Sequence, residues 1–145
     1  MVMSKNRPFV TNEKIIQLES GDVMHGIKSS SDGFSNFGEA YFSEILPNNI
    51  KAWKRHKLIT SNILVPSGRV LFVVIEEDIN DLTYKEYIIS KNEYLRLTIP
   101  PMNWYGFKGI SDKVSVLMNI TDQEHDPQES ETVEIDKFDY DWSLI

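Results

Sequence analysis

Residues 53–76, WKRHKLITSNILVPSGRVLFVVIE, make up the longest run of β-branched and aliphatic residues in the chain and do most to constrain its fold. Such side chains suit a pleated surface. Pro66, Ser67 and Gly68 divide the run, which predicts two antiparallel strands joined by a short turn. His56 lies in the first of them. Alternation along a strand puts Lys54 and His56 on one face and Trp53, Arg55 and Lys57 on the other. Only one face can look into a barrel, and the expected one carries His56.

A length of 145 residues allows one domain with a real core and leaves little room for a second. No apolar run approaches the ~20 residues a bilayer span needs. The N-terminal residues MVMSKNRPFVTNEK lack the apolar stretch of a secretory signal. Cysteine is absent, which excludes disulfides and thiolate zinc sites and fits a cytoplasmic protein. The net charge of −7 argues against a nucleic-acid partner, because phosphate affinity needs clustered Lys and Arg, and without a long apolar run no membrane partner is expected. Lys51, Lys54, Arg55 and Lys57 form one local basic cluster, suited to a small phosphorylated ligand or to a solvated strand edge.

Along the chain, residues 14–18 suggest a strand at a sheet edge, VMHGIK a short strand with a packed His25, and SSSDGFSNFG a loop. FGEAYFSEILP alternates, with Phe37, Glu39, Tyr41 and Ser43 on one face and Ala40, Phe42 and Glu44 on the other. The first of these faces suits a polar cavity wall or a solvent-facing surface. Beyond the central run, Asn80 and Asp81 turn into the strand TYKEYIIS, and EYLRLTIPP alternates until its prolines end the ladder. NWYGFKGIS is aromatic and glycine-containing, and KVSVLMNIT is again a strand. The acidic tail from Asp122 shows little periodicity, and its aromatics Phe138, Tyr140 and Trp142 are expected to pin it to the body. About eight short strands at regular spacing, with no amphipathic helix, predict an all-β sandwich or barrel.

The run AWKRHKLITSNILVPSG resembles the first motif of the cupin jelly rolls, with Lys54 and His56 at its two histidine positions, Ser61 at its glutamate and Gly68 at its glycine. Pro100, Met102 and Tyr105 resemble the second motif. The resemblance implies an all-β, single-domain cupin jelly roll (a double-stranded β-helix) over 1–145, with a short N-terminal edge segment and an acidic C-terminal tail. With Lys, Ser and Tyr at three of the four ligand positions, it resembles a cupin without metal, so no metal site and no cofactor are expected. FGEAYFS, KAWKRHK, YLRLTIPPMNWYGFKG, LMNITDQEHDP and DYDW, in that order, resemble the dTDP-4-dehydrorhamnose 3,5-epimerases and the related sugar 3,4-ketoisomerases.

This resemblance implies a nucleotide-sugar substrate, a homodimer, His56 as catalytic base, and Glu39, Tyr41, Ser43 and Asn119 in the sugar-nucleotide pocket. The sequence departs from the epimerases in three places. Asp122, Gln123, Glu124 and His125 stand where they carry a proton-donating Tyr; a Lys near Ser61 is missing; and the Asp that pairs with the base comes from a C-terminal segment this chain lacks. The ketoisomerases have histidines where this chain has Lys54 and Tyr105.

Side-chain chemistry supplies roles for the residues that remain. A proton next to a ketone is removed by a base titrating near neutrality, which an imidazole provides. Lys54, two residues from His56 on the same face, can neutralise the enolate oxygen. Tyr105 can return a proton to the opposite face, giving inversion, or to the neighbouring carbon, giving isomerisation. Arg96 suits a diphosphate, and equally an outward surface. His125 is a second candidate donor, or a loop histidine bonded to Asp126. The expected function is metal-independent epimerisation of a nucleotide-linked, dTDP-type 4-keto-6-deoxy sugar in deoxysugar and polysaccharide biosynthesis. The alternatives are 3,4-ketoisomerisation of the same substrate class and a sugar-nucleotide-binding cupin without catalysis.

Overall fold

From Val70 to Ile75 every side chain is apolar, which is how a strand buried on both faces reads. The computed structural model describes residues 6–145 and places this run in β7 (Arg69–Asp78), at the centre of the molecule. Val70, Phe72 and Val74 point into the main core, while Leu71, Val73 and Ile75 enter a second cluster on the other side.

Before β7 come β1 (Phe9–Asn12), β2 (Ile15–Ile16), β3 (Val23–Met24), β4 (Glu39–Ile45), β5 (Ile50–His56) and β6 (Ser61–Ser67). After it come β8 (Asp81–Ser90), β9 (Leu95–Ile99), β10 (Trp104–Gly109), β11 (Ser115–Thr121) and β12 (Ser130–Thr132). One five-stranded sheet has the order β1-β9-β6-β11-β4 and faces a second of order β12-β5-β10-β7-β8; β2 and β3 form a small separate hairpin. All of these strand pairings are antiparallel. The result is the single-domain cupin jelly roll expected from the sequence. Among the described residues, no helix is long and apolar enough to cross a membrane.

The central run is not a hairpin. Residues 53–56 end β5, and β6 and β7 lie in opposite sheets. The turn at Ser67 and Gly68 is a corner at which the chain changes sheet. Gly68 has φ +87, and a Cβ there would collide with Ser115, whose hydroxyl accepts from Arg69 N at 3.0 Å. The glycine is required by both backbone and space.

Two other segments were underestimated in the sequence. NWYGFKGIS is the inner strand β10, between β5 and β7, and the aperiodic tail contributes β12 to the edge of the second sheet. Beyond β12, Phe138, Tyr140 and Trp142 pack on Trp53 as expected, with ring centroids 5.6, 6.3 and 5.3 Å from it. The indole N–H of Trp53 donates to Ile135 O at 3.0 Å. The tail thereby seals the outer face of β5, the strand that carries His56.

Candidate active site

A cavity of about 400 Å³ opens between the two sheets. Tyr41 and Ser43 of β4 and Leu117 and Asn119 of β11 line one side, and Lys54 of β5 and Tyr105 and Phe107 of β10 line the other. Lys51 and Lys54 both reach this cavity, although three residues apart, because the pairing of β5 with β10 slips between Tyr105 and Gly106 and breaks the alternation. The expected basic cluster is therefore divided. Arg55 points outward, donates to Glu131 at 2.6 Å and lies 4.6 Å from the Trp104 ring centre, while Lys57 is exposed.

His56 is buried beside Lys54, its ring stacked with Tyr105 at 6.4 Å. Its Nδ1 lies 2.7 Å from Glu129 Oε1. The other carboxylate oxygen accepts the N–H groups of Leu58 at 2.9 Å and Ile59 at 3.0 Å. Burial opposes the Glu129 charge, but the hydrogen bonds from His56 and these two amides outweigh it and hold the carboxyl below its usual range. An ionised Glu129 fixes the proton on Nδ1. Nε2 then carries the free lone pair, and it has no hydrogen-bond partner among the described residues. Burial depresses the His56 pKa, more than Glu129 raises it, and Lys54 adds to the depression. The imidazole is neutral at neutral pH and suited to accept a proton.

Glu129 corrects the expectation that no C-terminal carboxylate meets the base. It arrives on the connection 122–129 from β11 to β12, which is bonded along its length. Asp122 accepts from Thr60 N at 2.9 Å, the Gln123 carbonyl accepts from Thr121 at 2.8 Å, and Glu39 accepts from His125 N at 2.8 Å. A Cβ on Gly38 would run into the Gln123 backbone. Glu39 thus anchors this connection and is not among the residues lining the cavity. The His125 side chain is exposed, and the bond expected with Asp126 is made instead between the Gln128 N–H and Asp126, at 3.0 Å.

Tyr41 and Asn119 face each other in register across β4 and β11, and the Asn119 Nδ2 donates to the Tyr41 oxygen at 3.0 Å and to Ser61 at 3.3 Å. Asn119 Oδ1 is buried without a partner among the described residues. Tyr105 is buried and its phenol is strongly raised by desolvation, so it stays protonated.

Arg96 is the clear exception among the expected site residues. It occupies the face of β9 turned away from the cavity, wholly buried, donating to Glu13 at 2.8 Å, to Thr98 at 3.0 Å and to Asn62. The structure therefore gathers Lys54, Tyr105, Tyr41, Ser43 and Asn119 around one cavity, buries His56 against Tyr105 outside the cavity lining, and leaves Glu39 and Arg96 off that lining. Among the described residues, no group of three or more His, Cys, Asp or Glu side chains is placed to hold a metal ion.

No family model matches the sequence. A dTDP sugar isomerase from Desulfovibrio desulfuricans G20 is 33% identical, over 95% of this chain and 92% of that one, with a TM-score of 0.89. This chain belongs to the family of dTDP-sugar isomerases. The probable low-salt glycan biosynthesis epimerase Agl13 of Haloferax volcanii is 28% identical over 106 residues, 70% of this chain and 68% of the relative. The dTDP-4-dehydrorhamnose 3,5-epimerase of Sulfolobus tokodaii, 17% identical over 92% of this chain and 80% of that one, has the same fold, with a TM-score of 0.79. Within the dTDP-sugar isomerase family, this chain pairs a buried His56 with Glu129. Sequence reasoning missed Glu129 because carboxylates are common in an aperiodic acidic tail; its one signal was position, between the last core strand and the aromatic anchor.

Proposed function

We propose that this protein epimerises a dTDP-linked 4-keto-6-deoxy sugar in deoxysugar and polysaccharide biosynthesis, without a metal, with His56 as the base. The observation that carries the reading is the buried His56–Glu129 pair, which leaves Nε2 unpartnered among the described residues and stacks the imidazole on Tyr105, a residue of the cavity wall. Lys54, next to His56 on the same strand face, neutralises the enolate oxygen as the proton leaves. Ser43 and Asn119 supply polar contacts to the sugar. Glu129 also weakens the case for a cupin that binds without turnover, since the base has its partner after all.

Ketoisomerisation is the second reading, and one observation favours it. Tyr105 belongs to β10, the neighbour of β5, so it stands on the same wall as His56 and can return a proton on the same side at the adjacent carbon.

The test is deuterium uptake from solvent by dTDP-linked 4-keto-6-deoxy sugars, followed by NMR with His56→Ala as control. Exchange at the carbons flanking the ketone, lost in the variant, is the expected result. Binding of these sugars with no exchange would leave the protein a binding module. We also propose a cytoplasmic homodimer, which light scattering of the purified protein tests for the dimer and fractionation for the compartment.

A further inference from the structure

We propose that Tyr41 is the proton donor for inversion: its phenol, held by Asn119, reaches the cavity from the sheet opposite His56 and protonates the far face of the sugar. The inference rests on the epimerase reading and refines it. Inversion requires that a proton be taken from one face of a carbon and given to the other. His56 and Lys54 lie on β5 and Tyr105 on β10, adjacent strands of one sheet, whereas Tyr41 lies on β4 of the facing sheet. Of the two phenols lining the cavity, Tyr41 alone stands across it from the base.

Three further observations agree. The Asn119 Nδ2 donates to the Tyr41 oxygen at 3.0 Å, which occupies a lone pair and leaves the O–H free to donate elsewhere. Burial raises the Tyr41 phenol, but the Asn119 bond opposes that rise, while Tyr105, fully enclosed, is raised far more. A donor must also be reprotonated after each turnover. Tyr41 is 36% exposed and can exchange with solvent, whereas Tyr105 is only 6% exposed.

In the step itself, His56 Nε2 takes the proton from the carbon beside the ketone, and the C–H electron pair moves into an enolate whose oxygen faces Lys54. The Tyr41 O–H bond then breaks as a C–H bond forms on the opposite face, and the ketone is restored. The imidazolium and phenolate left behind differ from the resting pair by one transferred proton, which solvent at the mouth carries back. No oxidant or co-reactant is consumed.

The experiment incubates dTDP-4-keto-6-deoxyglucose in deuterium oxide with wild type, Tyr41→Phe, Asn119→Ala and His56→Ala, and follows exchange and inversion separately by NMR. Tyr41→Phe is expected to keep exchange into the substrate within about tenfold, since His56 still removes and returns the proton, and to lose inverted product by about 10²-fold or more. The retained exchange also shows that the variant is folded. Asn119→Ala, which keeps the phenol but not its orientation, should fall between the two in inversion. Inverted product from Tyr41→Phe at near wild-type rate overturns the assignment while leaving His56 as base. A wild type that yields only the ketoisomer overturns it as well, and a wild type without exchange overturns both it and the epimerase reading.

Discussion

His56 and Glu129 make one titrating unit, and its behaviour follows from their surroundings. In the proposed reaction the neutral imidazole is the active form, and burial holds its pKa below the usual value of about 6.5. The rate kcat/KM should accordingly be level through pH 7 and fall on the acid side with a midpoint below 6.5; a midpoint above 7 would contradict the neutral base. Stability follows the same sign. The unfolded chain binds a proton at His56 more readily, so the stability contributed there is complete above about pH 6.5 and is lost as pH falls toward the folded value, and Glu129, also depressed, adds a second loss below about 4.5. Glu129→Gln removes the charge that fixes the Nδ1 proton, and we expect a fall in kcat on the order of 10²-fold, with KM changed much less. Arg96 gives the contrasting case. Arg96→Met should destabilise by about 3–5 kcal/mol in denaturant titration, because it strands Glu13 in a buried network, yet leave nucleotide-sugar affinity of the folded protein unchanged. Lost affinity without lost stability would return Arg96 to the site.

Among the elements, the connection 122–129 ties Glu129 to the fold, and Gly38 is its tightest point. Gly38→Ala would drive a methyl into the Gln123 backbone, which should cost about 1–3 kcal/mol and lower kcat further than that destabilisation alone predicts, as Glu129 is displaced. Activity unchanged at reduced stability would show that the connection yields elsewhere. What the sequence could and could not reveal is clearest at this scale. Alternation places Lys54 and His56 together, and Tyr41 with Ser43, because side chains two apart on a strand share a face. On β9 both faces are buried, so alternation grouped Arg96 with Thr98 without saying which face was inward. The same ambiguity made β6 and β7 resemble a hairpin, since a tight turn between two fully buried strands looks alike whether they pair or part at a corner. Lys51 reaches the cavity only through a slip in pairing that no local pattern announces.

In the molecule as a whole, the jelly roll was legible from strand spacing and ordered motifs, whereas the closure of the tail over β5 is a long-range event recorded in the sequence only by its aromatics. Trp53→Ala should cost about 3–5 kcal/mol by removing the centre of that closure, and it should loosen β12 and with it Glu129. An unfolding midpoint unchanged from wild type would show the aromatic cluster to be a passive cover. The chain has three tryptophans, Trp53, Trp104 and Trp142, and all belong to this one cluster on the back of the strand that carries His56. The protein's own ultraviolet emission therefore comes from a single locale. Any departure of the tail from the barrel would register as a red shift in an unlabelled sample, so the support behind His56 can be watched optically as a nucleotide sugar is added.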